Sequence, residues 1–209
     1  MATTLKQFMQ QIAEKKAPGP STSFTVFHLY YTIELLAKHP QGRNKLAEKL
    51  HVGDGAVRTI ISRLRNTNLI ETSKNGANLT PKGKEIWQQF EDLFPKQTDL
   101  PQSELTPAEF NHTYLVKNKG EKVSSGIDQR DAAIIAGARQ ALVIVYRDNH
   151  LLIKSVSNNI ETQFPNAAKQ LLEQLTPQDN DVIIVAGAES SLKAKRGAFA
   201  AAWSLISNG

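Results

Sequence analysis

Between Arg43 and Lys84 two short helical patterns, a tight turn and a hairpin signal follow one another with almost no spare chain, and few folds accommodate all four. Val57, Ile60, Ile61 and Leu64 recur at i, i+3, i+4 and i+7, which draws one apolar stripe along a helix over Gly55–Thr67. The rest of that helix, Gly55, Arg58, Thr59, Ser62, Arg63 and Arg65, is small or polar. Before it, RNKLAEKL predicts a shorter helix over Arg43–Leu50, with small Ala47 where the two would cross. Gly53 supplies permissive backbone between them. After it, Leu69-Ile70-Glu71-Thr72, the polar turn SKNGA and Asn78-Leu79-Thr80 predict a hairpin, because Asn75 and Gly76 both tolerate positive φ. Thr80-Pro81 then opens another helix, with proline at the favoured first position.

In such an arrangement the first helix braces the second, the second lies in a major groove, and the hairpin rests on the neighbouring backbone. The charge is distributed accordingly. Met1–Pro95 holds 13 Lys and Arg against 8 Asp and Glu, whereas the remainder holds 12 of each. The whole net charge of +5 therefore lies in the first half, and Lys38–Lys84 alone has 10 basic residues against 3 acidic. A local basic excess attracts a polyanion by releasing its condensed counterions. The residues expected at double-stranded DNA are Arg43, Asn44, Gly55, Arg58, Thr59, Ser62, Arg63, Arg65, Lys74 and Asn75. Arg63 and Arg65 lie about 200° apart on the helix, so only one can face the groove. Asp54 is expected as an N-cap or turn residue, where a negative charge suits the helix dipole.

Two helices precede this segment. Thr3–Lys16 has apolar residues at helical spacing and is stopped by Pro18–Pro20, and Ser21–Ser23 offer caps for FTVFHLYYTIELLAK. That second helix has more apolar residues than one stripe needs, which predicts burial on two sides, in part against a second subunit. The expected domains are 1–94, a Pro-rich linker at 95–107, and 108–209. In the last, strands at Asn111–Val116, Ala141–Tyr146, Leu151–Val156 and Asp181–Ala186 alternate with helices at Ser124–Arg139, Glu161–Leu175 and Ser190–Ile206. The order βαββαβ with a final helix is that of a ferredoxin-like unit, so the fold class is α+β.

The segment KLAEKLHVGDGAVRTIISRLRNTNLIETSKNGANLTPKGKEIW resembles bacterial and archaeal winged helix-turn-helix regulators. With SGIDQRDAAIIAGARQALVIVY and DVIIVAGAESSLKAKRGAFAAAW downstream, the whole chain resembles an archaeal family of two-domain transcriptional regulators. The resemblance implies a DNA-binding protein whose second domain has no assigned function.

That second domain offers one candidate effector site: Gly187, Glu189, Ser190 and Ser191, between a buried strand and a helix start whose N–H groups suit an anion. A plain strand-to-helix turn with a serine cap explains the same residues. The small-molecule effector has no identity. The absence of cysteine excludes disulfides, thiolate metal sites and cysteine nucleophiles, and fits a cytoplasmic setting. The five histidines fall in different elements without ligand spacing, so neither metal nor cofactor is expected. No catalytic motif stands out, no apolar run is long enough to span a membrane, and the N-terminus lacks the apolar core of a signal peptide. The expectation is a DNA-binding regulator acting as a homodimer and not an enzyme. The alternative is an enzyme of unknown reaction in the C-terminal domain, with the winged helix as its accessory module.

Overall fold

The computed structural model describes residues 4–14, 23–154, 156–157 and 159–207. The expected helix stop at Pro18–Pro20 and the cap at Ser21 lie outside them. The chain divides into two units, one ending at Phe90 and one spanning Glu91–Ser207.

The first unit begins with α1 (Leu5–Ala13), closed by a capping box in which Thr4 and Gln7 exchange hydrogen bonds. Helix α2 (Val26–Lys38) starts at Thr25, not Ser23, and the Thr25 N–H donates to His28 Nδ1 at 3.0 Å. Nine of its side chains are buried within this single chain, so its apolar excess needs no second subunit. Helices α3 (Arg43–Leu50) and α4 (Asp54–Asn66) follow, then strands β1 (Ile70–Ser73) and β2 (Gly76–Leu79), then α5 (Pro81–Leu93).

The turn between α3 and α4 differs from expectation. The left-handed residue is His51, at φ 51°, while Gly53 is extended at φ −65° and caps α4. Asp54 is accordingly the first residue of the helix and not its cap. At the other end of α4, Asn68 takes φ 59°, and the Leu69 N–H reaches back to the Leu64 carbonyl at 2.8 Å. This left-handed closure turns the chain sharply into β1.

The closing motif LTPKG has a mechanical explanation. The Thr80 N–H donates to the Leu69 carbonyl at 3.1 Å, and the Thr80 hydroxyl donates to Asn68 O at 2.6 Å. The same hydroxyl accepts the Gly83 N–H at 3.0 Å, which caps α5. A Cβ on Gly83 would stand 2.0 Å from the Leu69 carbonyl oxygen, so only glycine allows the first turn of α5 to lie this close.

The first strand of the second unit lies inside the expected linker. Residues Lys96–Leu100 form β3, paired along its whole length with β4 (Phe110–Val116), and Leu100 and Leu105 are core. The polar pattern is that of an edge strand with one wet face, and Pro95 and Pro101 bound it instead of marking a linker. After a 3-10 turn at Gly120–Lys122 come α6 (Ile127–Ile135), β5 (Gln140–Arg147), β6 (His150–Leu152), α7 (Ile160–Gln163), α8 (Pro165–Leu175), β7 (Val182–Ala188) and α9 (Ser191–Ser204). The helix expected over Glu161–Leu175 is broken at Phe164, because Pro165 starts a new one.

The sheet order is β3-β4-β7-β5-β6, antiparallel throughout. Both β-α-β units are split: β7 lies between β4 and β5, and β5 lies between β7 and β6. The βαββαβ order is as expected, with β5 and β7 innermost of the four. Both faces are covered. Leu115, Ile144, Ile183 and Val185 pack with Leu171 and Leu175 of α8. The opposite face lies under α6 and α9. Two-sided burial explains why VIIVAGA is apolar at every position. On α9, Ala194, Ala198, Ala201 and Ala202 are fully buried, and a Cβ on Gly197 would stand 2.6 Å from the Ala138 Cβ, so the small residues bring α9 against α6.

Gly83→Ala is expected to destabilise the chain by about 1–3 kcal/mol through overpacking. Gly55→Ala, which meets nothing within 4 Å, is expected to stabilise α4 by about 0.5–1 kcal/mol. Urea unfolding of both variants checks the pair, and equal effects would contradict the close approach at Leu69.

Candidate nucleic-acid interface

Helix α4 divides cleanly into two faces. Val57, Ile60 and Leu64 are buried, and Ile61 is half-buried. Gly55, Arg58, Thr59, Ser62, Arg65 and Asn66 are exposed. Arg58, Thr59, Ser62 and Asn66 line one open depression together with part of Arg63. Sequence reasoning misses Asn66 because it lies beyond the last apolar position, where the periodic pattern has already ended.

Arg58 forms an ion pair with Asp54 one turn earlier, Nη2 to Oδ2 at 2.6 Å, with both side chains more than half exposed. An exposed pair of this kind contributes little to stability and can be exchanged for another anion. It also accounts for Asp54 on a basic face: the acid lies in the first turn, where the helix dipole favours it, and pairs with Arg58 one turn later.

Arg63 has a different role from the one expected. Its guanidinium donates to the backbone carbonyls of Ile12 at 2.7 Å and Glu14 at 2.6 Å, which closes the C-terminal end of α1. The same group lies 5.1 Å from the centre of the Phe24 ring. These contacts commit the guanidinium to the end of α1 and make Arg63 the tie between α1 and α4, while its side chain still lines the depression beside Arg58 and Asn66. The sequence contains no local signal for this, since its partners are main-chain atoms about fifty positions away.

The hairpin also departs in detail. Ser73 pairs with Gly76, so Lys74 and Asn75 occupy the turn, and Gly76 alone takes positive φ, at 112°. A Cβ on Gly76 would meet the Gln41 carbonyl group at 2.5 Å. Here Gln41 and Ala77 exchange backbone hydrogen bonds at 3.1 and 2.9 Å, so Gln41, two positions before α3, bridges the wing. This bridge sets Arg43 beside Ser73, Lys74 and Asn75 around a second open groove floored by Ile61. Helix α3 starts at Gly42 with no side-chain cap, leaving the first N–H groups of α3 without one. Arg43, Asn44, Lys74 and Asn75 are all exposed.

In the second unit each expected effector residue has an internal use. Gly187 is buried, and a Cβ there would stand 2.5 Å from the Ala108 Cβ. Ser190 Oγ accepts the Lys193 N–H at 3.4 Å and caps α9, and Ser191 is the first residue of that helix. Glu189 pairs with Lys193 and with Arg139 Nε at 3.2 Å. The Lys193 hydrogen bond chiefly holds its carboxyl below the usual carboxylate range. Elsewhere, His112 is enclosed by β3, with Nδ1 at 2.6 Å from Asp99 and Nε2 at 3.3 Å from Gln97. The His112 hydrogen bond lowers the Asp99 pKa against the opposing effect of burial, and the charges of His112 and Lys195 lower it further. Among the described residues no group of three or more His, Asp or Glu is placed to hold a metal, and no helix is long and apolar enough to cross a membrane.

Two helices joined by a left-handed turn, a hairpin bridged by Gln41 and a closing helix define a winged helix-turn-helix unit, followed by an α+β unit with a five-stranded antiparallel sheet. Residues 31–85 match the family described as "PH0730-like, N-terminal domain". Residues 107–205 match a domain of unknown function, DUF4443. Among solved structures, the chain is similar to a hypothetical protein, PH0730, from Pyrococcus horikoshii OT3, at 29% identity and a TM-score of 0.71. That likeness covers 88% of this chain and 93% of that one, so both units are shared. ZitR of Lactococcus lactis, as a cysteine-to-serine mutant, shares 23% identity over 41% of this chain and 66% of its own, at a TM-score of 0.30. No curated protein matches.

Arg63→Ala is expected to lower stability by about 1–3 kcal/mol, because it leaves carbonyls of α1 without their donor. Arg58→Ala is expected to stay within about 0.5 kcal/mol. Urea unfolding separates them, and the reverse order would return Arg63 to the reading face. The ionised form of Asp99 is favoured in the folded chain, so its contribution is present above the unfolded pKa and is lost as pH falls through the folded one. The stability gap between the wild type and Asp99→Asn should therefore shrink as pH falls below the ordinary carboxylate range. Thermal unfolding across that range checks this, and a gap indifferent to pH would remove Asp99 from acid stability.

Proposed function

We propose that the chain is a DNA-binding transcriptional regulator, with α4 entering the major groove and the β1–β2 wing lying on the adjacent backbone or minor groove. The observation that carries this reading is the exposed face of α4. Arg58, Thr59, Ser62 and Asn66 stand together there, with Val57, Ile60 and Leu64 of the apolar stripe turned inward. Arg and Asn are the side chains that make paired hydrogen bonds to guanine and adenine edges. Thr59 and Ser62 suit phosphates or either base. Around this face, Arg43, Asn44, Arg65 and Lys74 are exposed cations or donors suited to phosphates. The uncapped start of α3 supports the same role, since free backbone N–H groups at a helix N-terminus bind phosphate.

The second unit serves in this reading as the part that pairs two copies, accepts a small-molecule effector, or both. A dimer would present its two recognition helices to half-sites about 34–36 Å apart. An effector would act by binding one spacing of those helices more tightly than another. The setting proposed is the cytoplasm.

Mobility shift of genomic fragments tests the reading directly. Binding is expected to weaken steeply with salt, with a slope near −0.9 for each phosphate neutralised. Lys74→Ala should reduce that slope by about 1 and weaken all sequences alike. Arg58→Ala or Asn66→Ala should cost about 1–3 kcal/mol at a preferred site and relax its sequence preference. Absence of sequence-preferring binding at every salt concentration would sink the proposal.

A further inference from the structure

The outer edge of β5 is only half used. Strand β6 pairs with Val145–Arg147 alone, through a tight turn in which Asp148 and Asn149 take φ 51° and 65°. Among the described residues no strand pairs with the outer side of Gln140–Val143. The register fixes which groups are open. Tyr146 exchanges hydrogen bonds with β7-side partners, its N–H to Asp181 O and its carbonyl from the Asn180 N–H. Alternation along the strand then points the peptide groups of Ala141 and Val143 outward.

This edge lacks the usual protections. Gln-Ala-Leu-Val carries no charge and no proline, whereas the opposite edge, β3, carries Lys96 and Asp99 between Pro95 and Pro101. Open edges in single-copy proteins are normally blunted by such residues. Apolar exposure gathers at the same place. Of the five exposed large apolar side chains among the described residues, Ile127, Ile134 and Ile135 lie on α6, the helix packed on β5, and Val156 follows β6. Ile127 and Ile134 are seven positions apart and so share one side of the helix. Ile127 and Val156 rim an open groove whose floor is Ala141, Leu142 and Val143; its two cations are engaged within the chain, Lys154 by the Gly120 and Val123 carbonyls and Arg130 by Asp131.

We propose that this edge is the interface with a second copy of the chain, joined β5 to β5 in antiparallel fashion about a two-fold axis at Leu142. Such an axis sets Ala141 opposite Val143 of the second copy, and the reverse, which closes the outward N–H and C=O groups of both. The two sheets become one, and each α6 lies beside its counterpart with Ile127 and Ile134 covered. The exposed charges on α6 match a copy of the same surface. Arg130 lies between Asp128 and Asp131, and it pairs with Asp131 at 3.0 Å within the chain, so a two-fold places each cation near the other copy's acids. A self-complementary patch is what an isologous interface requires. The inference deepens the regulator reading, and rests on it for the reason that two copies are needed.

Sedimentation of the full chain without DNA tests it, together with amide hydrogen exchange at Ala141 and Val143. The wild type should sediment as a dimer at micromolar concentration with both amides protected. Ile127→Asp combined with Ile134→Asp alters only exposed side chains. It should raise the dimer dissociation constant by about 100-fold or more, expose both amides and leave the circular dichroism unchanged. Phe110→Ser, at the exposed apolar residue away from this edge, should leave the dimer intact. A monomeric wild type overturns the inference, as does a dimer that survives the double substitution with its edge amides still protected. A dimer through this edge that shifts no DNA would remove the regulator reading and leave the interface. A monomer that shifts DNA with sequence preference would do the reverse.

Discussion

The carbonyl of Leu69 is the point on which the first unit is assembled. It accepts the Thr80 N–H at the base of the wing, and it lies where a Cβ of residue 83 would be. The chain arrives there by the left-handed turn at Asn68 that ends α4. One peptide group thus joins the end of α4, the foot of the hairpin and the start of α5. The Gln41–Ala77 bridge fixes the far side of the wing in the same manner, against a glycine that leaves no room for a side chain. Both junctions are main-chain contacts, which hold α4 and the wing in register whatever side chains their outer faces carry.

This rigidity leaves the exposed face of α4 free to be almost wholly polar. Arg63 shows the division. An arginine on a recognition helix is a natural DNA contact, yet here it closes the end of α1 and stacks on Phe24. Helix α4 is thereby held to α1 by one of its own arginines. Arg58, whose partner is an exposed carboxylate on its own helix, has the opposite character.

The second unit is built differently. Its inner strands are buried on both faces, and Asp181, though almost fully buried, is satisfied by the N–H groups of Asn118 and Gln178 and by Lys117. One sheet edge is guarded by charge and proline, while the other presents bare peptide groups beside exposed isoleucines. The asymmetry between edges, more than any pocket, distinguishes the two sides of this sheet.

The sequence by itself determined the parts whose cause is local. The apolar stripe of α4, the helix start at Thr80-Pro81, the hairpin, the uniformly apolar β7 and the confinement of positive charge all follow from spacing and residue type. Tertiary structure decided what depends on distant partners. Strand β3 has the composition of a linker because an edge strand with one wet face shares it, and only pairing with β4 makes it a strand. His51 takes the left-handed position expected of Gly53, and the role of Arg63 depends on carbonyls far away in the chain. The two-faced pattern of the region from Arg43 to Lys84 is legible because a helix repeats its environment every few residues. Which of its cations stay uncommitted to the fold is not, because that depends on what else in the fold needs a donor.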